Sequence, residues 1–283
     1  MAAPSANPRT RKTGYKRSAA MLAVLSPAKN LDLSPAELSL ETTQPALMKD
    51  AEALMKTARG LSQTKIRDLM GLSKDLAKLN YDRYRAFELP FTDANALPAA
   101  VIFNGDVYRG LRAREFDEAD FAYAQDHLAI LSGLYGLLRP LDLTQAYRLE
   151  MGTRLKTRRG KNLYEFWGPR VAQELNAALE GHVDDSLVNL ASNEYFKVVG
   201  ARKFQRPVVE CVFEDWKNSP DDGKVISFMA KVARGAMARY LVTQRVDRAD
   251  GIKDFKVDRY RFVAKASSPT RLVFRRKFVP VGG

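Results

Sequence analysis

The sequence predicts a mixed α/β protein, a single compact domain in which helices surround a central sheet. Short apolar runs rich in valine, isoleucine and leucine alternate along the chain with stretches in which apolar residues recur at helical spacing. No repeat, low-complexity tract or shift in composition marks an internal linker. We therefore expect one domain over residues 21–283, with a helical lobe at about 45–88.

Apolar runs predict the strands of this sheet. They are "MLAVLS" (21–26), which Pro27 stops, "AAVIF" (99–103), "LAILS" (128–132), "SLVNLAS", "RPVVECVF" and "KVISFM". The last stretch, "RYRFVAKASSPTRLVFRRKF", has the pattern of a terminal hairpin. Together these runs supply enough strands for one central sheet.

Helical periodicity predicts the elements between the strands. The first helix begins near Pro45 and ends at Gly60, and two shorter helices follow, separated at Gly71. In the second half, helices are predicted in "NLYEFWGPRVAQELNAAL", where Pro169 places the start after Phe166, and in the basic stretch "AKVARGAMARYLVTQRV".

The first twenty residues, "MAAPSANPRTRKTGYKRSAA", contain five basic residues and no acidic one. They offer almost nothing that can pack in a core, and they lack the apolar segment of a secretory signal. We expect residues 1–20 to form a disordered basic extension. Without them the chain still carries a net charge of +8, since 46 minus 5 leaves 41 basic residues against 33 acidic ones.

The charge of the whole chain indicates a class of partner. The net charge is +13 and the isoelectric point is near 9.8. An excess of this size favours a polyanion such as DNA, or an anionic membrane face. No apolar run approaches the ~20 residues that a membrane span needs, so the sequence predicts no membrane-spanning helix.

Cysteine and histidine usage limits the chemistry. Cys211 is the only cysteine, which excludes an intrachain disulfide and suits a reducing cytoplasm. Its setting in "PVVECVF" favours a buried, inert thiol over a reactive one. His127 and His182 are the only histidines, and no Cys/His cluster has zinc-ligand spacing. The sequence therefore predicts neither a metal site nor a cofactor.

The stretch "LSQTKIRDLMGLSKDLAKLNYDRYRAF" (61–87) predicts two helices joined by a tight turn. Ser62 and Ser73 are placed to cap the helices, and Gly71 suits a left-handed residue between them. The apolar positions at helical spacing are Ile66, Leu69 and Met70 on the first helix and Leu76, Leu79 or Asn80, Tyr84 and Phe87 on the second. The free N–H groups of the second helix's first turn, beside Lys74, would bind phosphate without contacting bases.

The residues of this predicted DNA-binding surface are Lys65, Arg67, Gly71, Ser73, Lys74 and Lys78. The alternative is an ordinary helix junction with a solvated basic rim, because Asp68 and Asp75 dilute the charge. If the junction does not bind DNA, the basic helix at 231–245 or the strand Arg275–Lys277 is the next place expected to do so.

Polar residues also recur where the predicted strands end, and parallel strands gather such ends at one edge of a sheet. The residues expected to face a common cleft are Lys29, Asn104, Asp106, Arg148, Glu150, Asn193 and Lys197. A lysine beside carboxylates there suits acid–base work or a small anionic ligand. Turn chemistry at Asn-Gly-Asp and a helix cap at Ser192 are the alternative. No nucleophile elbow, Walker or dinucleotide fingerprint is present, so no catalytic residue is assigned.

Six separated motifs carry a more specific signal. They are "LSPAKNLD" (25–32), "IFNGDVYRGL" (102–111), "LSGLYGLLRPLDL" (131–143), "YRLEMGTRL" (147–155), "LASNEYFKVV" (190–199) and "ARGAMARYL" (233–241). Together they resemble the YaaA peroxide-stress family over roughly residues 21–278, whereas the first twenty residues depart from the family pattern. The resemblance implies a cytoplasmic bacterial protein with a mixed α/β fold that limits oxidative DNA damage and free intracellular iron. It also implies binding of duplex and branched DNA through a helix-hairpin-helix element.

Peroxide chemistry by the chain itself is disfavoured. Thiol peroxidases need an activated cysteine, and haem or iron sites use histidine or clustered cysteines. The Glu-x-x-His pairs of iron-storage bundles are absent. The expected function is therefore sequence-independent DNA binding under oxidative stress, by a monomer. The alternative is an enzyme or small-molecule-binding protein that uses the strand-end cleft.

Overall fold

A seven-stranded mixed sheet forms the centre of the computed structural model, which describes residues 21–200 and 203–278. The strands are β1 (Leu22–Leu25), β2 (Asn30–Leu31), β3 (Leu97–Pro98), β4 (Phe103–Asn104), β5 (Leu128–Ser132), β6 (Gly136–Leu138), β7 (Leu143–Thr144), β8 (Leu187–Asn189), β9 (Val208–Trp216), β10 (Arg261–Phe262) and β11 (Arg271–Lys277). Outside the central sheet, β2 pairs with β4 and β3 pairs with β7 in two small sheets. The α-helices are α1 (Met48–Arg59), α2 (Gln63–Met70), α3 (Lys74–Ala86), α4 (Ala99–Ile102), α5 (Asp106–Leu111), α6 (Glu118–His127), α7 (Leu163–Trp167), α8 (Arg170–Ala178), α9 (Asn193–Phe196) and α10 (Ser227–Thr243). Short 3-10 segments lie at Ala113–Glu115, Lys197–Val199, Ala249–Asp254, Val257–Arg259 and Ala264–Ala266.

The central sheet has the strand order β10-β11-β9-β8-β1-β5-β6. The five inner strands are parallel, and the edge strands β10 and β6 each pair antiparallel with their neighbour. Every residue of β1 and β5 is buried, as expected for parallel strands that helices cover on both faces. The mixed α/β prediction and the single compact domain are confirmed. The parallel order also brings the carboxyl ends of five strands to one edge.

Two predicted strands are wrong. "AAVIF" forms α4 followed by the first residue of β4, and all four residues of α4 are buried, so periodicity could not separate a helix from a strand there. In "KVISFM", only Lys224 pairs with β9, through a bridge to Asp215, and α10 begins at Ser227. β8 pairs only with residues 208–210 of β9, so Asp215 has an open side to which Lys224 bridges before the chain turns into α10.

The predicted helix around residues 162–179 is two helices. Gly168, with φ of 53°, and Pro169 separate α7 from α8. The helix also begins earlier than Phe166, because the Asn162 side chain accepts a hydrogen bond from the Glu165 N–H at 2.9 Å and caps α7. The basic stretch after β9 forms a helix, as predicted. The predicted terminal hairpin is also present, formed by β10 and β11.

The helices α5 and α10 cross in backbone contact against the sheet. A Cβ atom at Gly235 would lie 1.7 Å from the Val107 carbonyl oxygen, and one at Gly110 would lie 2.0 Å from the Val232 carbonyl oxygen. Glycine is therefore required at both positions of this crossing. Within the described residues, no helix is both long and apolar enough to cross a membrane. The extension predicted for residues 1–20 lies outside the described residues.

Candidate functional site

The helices α2 and α3 form the predicted pair. The Ser62 hydroxyl accepts from the Lys65 N–H and the Ser73 hydroxyl accepts from the Leu76 N–H, each at 3.3 Å, so both helices have the predicted N-cap. Between them Gly71 adopts φ 61° and ψ 41°, the left-handed conformation that glycine reaches without steric cost. Both serine caps and the left-handed glycine of the junction are therefore present as the sequence predicts.

The seam of the pair differs from the prediction on α3. Ile66 of α2 is fully buried, as expected, and Leu69 and Met70 pack partly against the core. On α3, Ala77 and Asn80 are buried, whereas Leu76 and Leu79 are 39% and 43% exposed. Asn80 can face inward because its amide donates to the Leu76 carbonyl at 2.8 Å. The orientation of α3 about its axis therefore buries Asn80 rather than Leu79 and leaves Leu76 and Leu79 on the surface.

The rotation of α3 is fixed by its contacts with two other segments. Arg59, at the end of α1, donates to the Tyr84 carbonyl at 2.8 Å and to the Phe87 carbonyl, so it satisfies the last carbonyls of α3. The buried Tyr84 donates its hydroxyl to the Arg148 carbonyl. Burial raises the pKa of Tyr84 well above its ordinary value, which keeps this hydroxyl protonated. These tertiary contacts turn Tyr84, and with it Asn80, toward the core.

The predicted DNA-binding residues lie together on the α2–α3 pair, and Lys65, Gly71, Ser73 and Lys74 are exposed. In the described part of the chain neither Lys65 nor Lys74 forms a salt bridge. Arg67 pairs with Asp68 at 2.9 Å and Lys78 with Asp82 at 2.7 Å, and all four side chains are about half exposed or more. Such exposed pairs are weak, so they leave the cations accessible to a phosphate.

A second group of exposed basic residues was not predicted. In the segment 151–161, the buried residues Met151, Thr153 and Leu155 alternate with exposed Arg154 and Lys156. The further exposed cations of this segment are Arg158, Arg159 and Lys161. The period-two alternation of apolar and basic residues is visible in "MGTRLKTRRGK", and it was the signal that could have identified this surface.

Ion pairs and hydrogen bonds attach the segment 151–161 to the helical lobe. Just before the segment, the Arg148 carbonyl accepts the Tyr84 hydroxyl of α3. Near its end, Arg159 pairs with Asp50 in the first turn of α1, and Arg170 reaches the same carboxylate at 3.3 Å. These contacts hold the segment against the helical lobe.

The strand-end cleft is divided into two groups. Lys29 and Arg148 both pair with Glu150, each at 3.0 Å. Asp106 is not part of this group, because it faces α10 and pairs with Arg109 and Lys231, each at 3.6 Å. The groups are close neighbours, since a Cβ atom at Gly105 would lie 2.9 Å from the Ala28 Cβ atom, and Asn104 pairs with Asn30 across β2 and β4.

The two remaining residues of the predicted cleft lie on and after α9. Asn193 begins α9 and is exposed, and the Lys197 ammonium lies 4.9 Å from the centre of the Tyr164 ring. Within the described residues, neither forms a hydrogen bond or an ion pair with Lys29 or Asp106. The structure therefore brings Lys29, Arg148 and Glu150 together through ion pairs, and the other predicted residues lie outside this group.

Serines and buried tyrosines form the floor of the cleft. The Ser26 hydroxyl accepts from the Ser192 N–H at 2.9 Å, and the hydroxyls of Ser132 and Tyr147 are 2.6 Å apart. Tyr108 donates to the Ser26 carbonyl at 3.2 Å. Burial raises the pKa of Tyr108 and of Tyr147 far above the ordinary value. These hydroxyls stay neutral and serve as structural hydrogen-bond partners.

The ion pairs of the cleft leave a small excess of positive charge. Lys29 and Arg148 share one carboxylate, which leaves a local charge of +1, and Lys29, at 60% exposure, reaches solvent more readily than Arg148 at 16%. Within the described residues no group of three or more His, Cys, Asp or Glu side chains is arranged to hold a metal ion. The hydroxyl of Ser26 is hydrogen-bonded to Ser192.

Comparison with known proteins gives the family. The family profile described as "Peroxide stress protein YaaA" matches residues 21–266. A UPF0246 protein of Bordetella petrii is 52% identical over 257 residues, which cover 91% of this chain and 100% of that protein. UPF0246 proteins of Alteromonas mediterranea and Caulobacter vibrioides are 52% and 48% identical, each covering 90% of this chain and 98% and 99% of their own length. The chain therefore belongs to the peroxide stress protein YaaA family, and membership implies a role in the response to peroxide stress.

Proposed function

We propose that this protein is a sequence-independent DNA-binding protein of the peroxide stress response, which acts in the cytoplasm as a monomer. It binds duplex and branched DNA through the phosphate backbone, and it thereby limits DNA damage while lowering free intracellular iron. The observation that carries the proposal is the α2–α3 junction. There, a left-handed Gly71 and a capping Ser73 direct the first turn of α3 outward beside the unpaired Lys74.

The basic segment 151–161 supports the same function. Arg159 pairs with α1 and the preceding Arg148 carbonyl bonds to α3, so the exposed cations of this segment would add to the charge available to a phosphate backbone. Contacts of this kind position a protein on DNA but carry no sequence information. The strand-end cleft is the weaker candidate, because Glu150 neutralises one of its two cations and its hydroxyls are bonded to one another.

Charge reversal at Lys74 tests the proposal. A surface that neutralises ~5 phosphates gives a log–log salt slope near −4 to −5, or roughly 10²–10³ in affinity between 50 and 200 mM salt. We expect Lys74→Glu to weaken binding to all DNA sequences alike and to make this slope shallower by about one unit. The measurement is fluorescence anisotropy with two unrelated duplexes and a four-way junction at several salt concentrations.

Two control variants accompany this test. Lys265→Glu makes the same change in net charge at an exposed lysine that pairs with Asp221, far along the chain from α2 and α3, and should change the slope little. Asp75→Ala removes a carboxylate next to Lys74 and should leave binding unchanged or tighter. The proposal fails if Lys74→Glu and Lys265→Glu bind DNA equally well and both match the parent.

A further inference from the structure

An open cavity of about 140 Å³ lies beside the small sheet of β2 and β4. The residues with polar side chains that line it are Asp32, Asn104, Tyr108, Arg109, Arg112 and Arg114. Three arginines in one small cavity form an unusual concentration of positive charge. The proposed DNA contact surface does not include this cavity.

The ion pairs around the cavity contain more cations than carboxylates. The pairs are Asp106 with Arg109 and Lys231, Glu115 with Arg112 and Arg239, and Asp32 with Arg114. Among the described residues this network therefore joins five cations to three carboxylates and leaves a charge of +2. A charge of +2 concentrated at a cavity is complementary to a dianion.

The three arginines differ in the donors that they leave open. Arg114 uses its guanidinium fully, on Asp32 at 3.2 Å and on the carbonyls of Ser34 and Pro35 at 2.9 and 3.0 Å, so it shapes the wall. Arg109 and Arg112 are 65% and 57% exposed, and each contacts a carboxylate through one nitrogen. Their remaining N–H groups are available in the described structure, and exposed ion pairs exchange readily for a ligand.

The backbone at Arg112 is strained. Its φ of 52° and ψ of 46° lie in the left-handed region, which glycine occupies at the least cost. The Arg112 N–H bonds to the Tyr108 carbonyl at 2.8 Å, and Arg239 donates to the Arg112 carbonyl at 3.0 Å, which offsets the negative end of α5. An arginine at a position that favours glycine indicates a use for its guanidinium group.

We propose that this cavity binds the phosphate group of a phosphate monoester, with Arg109 and Arg112 as the donors. A monoester carries a charge of about −1.5 to −2 at neutral pH, which matches the local excess. The planar guanidinium fork binds two phosphate oxygens at once. The cavity volume takes the phosphate group while the rest of the ligand extends into solvent. The phosphate belongs either to a free nucleotide or to the 5′ end of a nucleic acid strand.

Glycine substitution provides a test that preserves the backbone. Arg112→Gly removes a donor at a position that favours glycine, and Arg245→Gly is the matched control, because Arg245 also has φ of 52° but pairs with Asp120 and does not line the cavity. By isothermal titration calorimetry we expect the parent and Arg245→Gly to bind adenosine monophosphate alike. Arg112→Gly should bind about tenfold more weakly or worse, without a lower Tm than the parent. Arg109→Gln should weaken binding in the same way.

Two oligonucleotides distinguish the sources of the phosphate. If the cavity takes a strand end, a 5′-phosphorylated single-stranded 10-mer binds more tightly than its 5′-hydroxyl form, and Arg112→Gly removes the difference while Lys74→Glu leaves it. If the cavity takes a free nucleotide, adenosine monophosphate binds and the two oligonucleotides do not differ. The proposal is overturned if the parent binds no adenosine monophosphate and does not distinguish the oligonucleotides, or if Arg112→Gly behaves as the parent does. Loss of duplex binding by Lys74→Glu alone bears only on the proposed function.

Discussion

The α2–α3 pair and the region of α10 and β11 are both basic, but they use their cations differently. On α2–α3, Lys65 and Lys74 are exposed, and neither forms a salt bridge within the described residues. On α10 and just after it, three cations are joined to carboxylates of neighbouring helical segments. The pairs are Lys231 with Asp106 at 3.6 Å, Arg239 with Glu115 at 3.3 Å and Arg245 with Asp120 at 2.7 Å.

On β11 two of the paired arginines are, in addition, largely buried. Arg275 pairs with Glu214 at 2.7 Å and Arg276 with Asp215 at 2.6 Å, and the two arginine side chains are only 14% and 11% exposed. Tyr260 donates its hydroxyl to the same Asp215 at 2.8 Å. Register explains this network, because Arg275 and Arg276 lie directly opposite Glu214 and Asp215 on parallel strands.

The comparison shows that the basic residues counted along a sequence do not reveal which cations stay unpaired and exposed in the fold. The stretch 231–245 and the strand Arg275–Lys277 were the alternative DNA sites predicted from charge, and most of their arginines hold α10 and β11 in place. Arg234 is the exception on α10, but it is partly buried and burial lowers its pKa. These stretches therefore support the fold, and α2–α3 with the segment 151–161 is the better candidate surface.

The largest effect that we expect to distinguish β11 from the α2–α3 pair is a loss of stability when Arg276 is replaced. Arg276→Ala leaves the carboxylate of Asp215 fully buried without its cation, and we expect a loss of about 3–5 kcal/mol in the free energy of unfolding. Urea unfolding measures this loss. The neighbouring Lys277→Ala removes an exposed cation and should change stability by about 0.5 kcal/mol or less. Under conditions where Arg276→Ala is fully folded, a large drop in DNA affinity would show that β11 contacts DNA after all.

An intermediate effect is expected at the junction of α2 and α3. Gly71→Val forces a β-branched residue into a left-handed conformation and should cost about 1–2 kcal/mol, although a Cβ atom there meets nothing within 4 Å. Gly181→Val is the matched control, because Gly181 has φ of 80° and equally open surroundings. Both variants should lose similar stability in thermal unfolding, but only Gly71→Val should bind DNA more weakly. Equal DNA binding by the two variants would reduce the α2–α3 turn to a helix junction.

The smallest effect is expected at Cys211, under α10. Its side chain is buried, and burial raises the pKa of the thiol from 9.0 to about 12. The folded state therefore favours the neutral thiol, so this group's contribution to stability is complete below pH 9 and is lost as the pH rises toward 12. We expect Cys211→Ala to cost about 1 kcal/mol and to leave peroxide resistance of cells unchanged. Loss of resistance with a stably folded variant would assign the peroxide chemistry to this thiol.

Short-range sequence patterns predicted many elements of the fold and the helix pair of the candidate surface. The caps Ser62 and Ser73, the left-handed Gly71, and the strands β1, β5 and β9 were predictable, because capping, a positive φ and a buried apolar run each depend on a few adjacent residues. The mixed α/β class followed from the order of such elements, and the six residues of the DNA-binding prediction fell on one helix pair for the same reason.

Pairing and orientation were decided only by tertiary structure. Which of Leu79 and Asn80 faces the core depends on the anchoring of Tyr84 to the Arg148 carbonyl, 64 residues away along the chain. Whether Arg276 is free or bound depends on the register of β11 against β9. The physical reason is the same in each case. A charge or an apolar side chain finds its partner through contacts between segments that are distant in sequence, and one-dimensional periodicity does not contain those contacts.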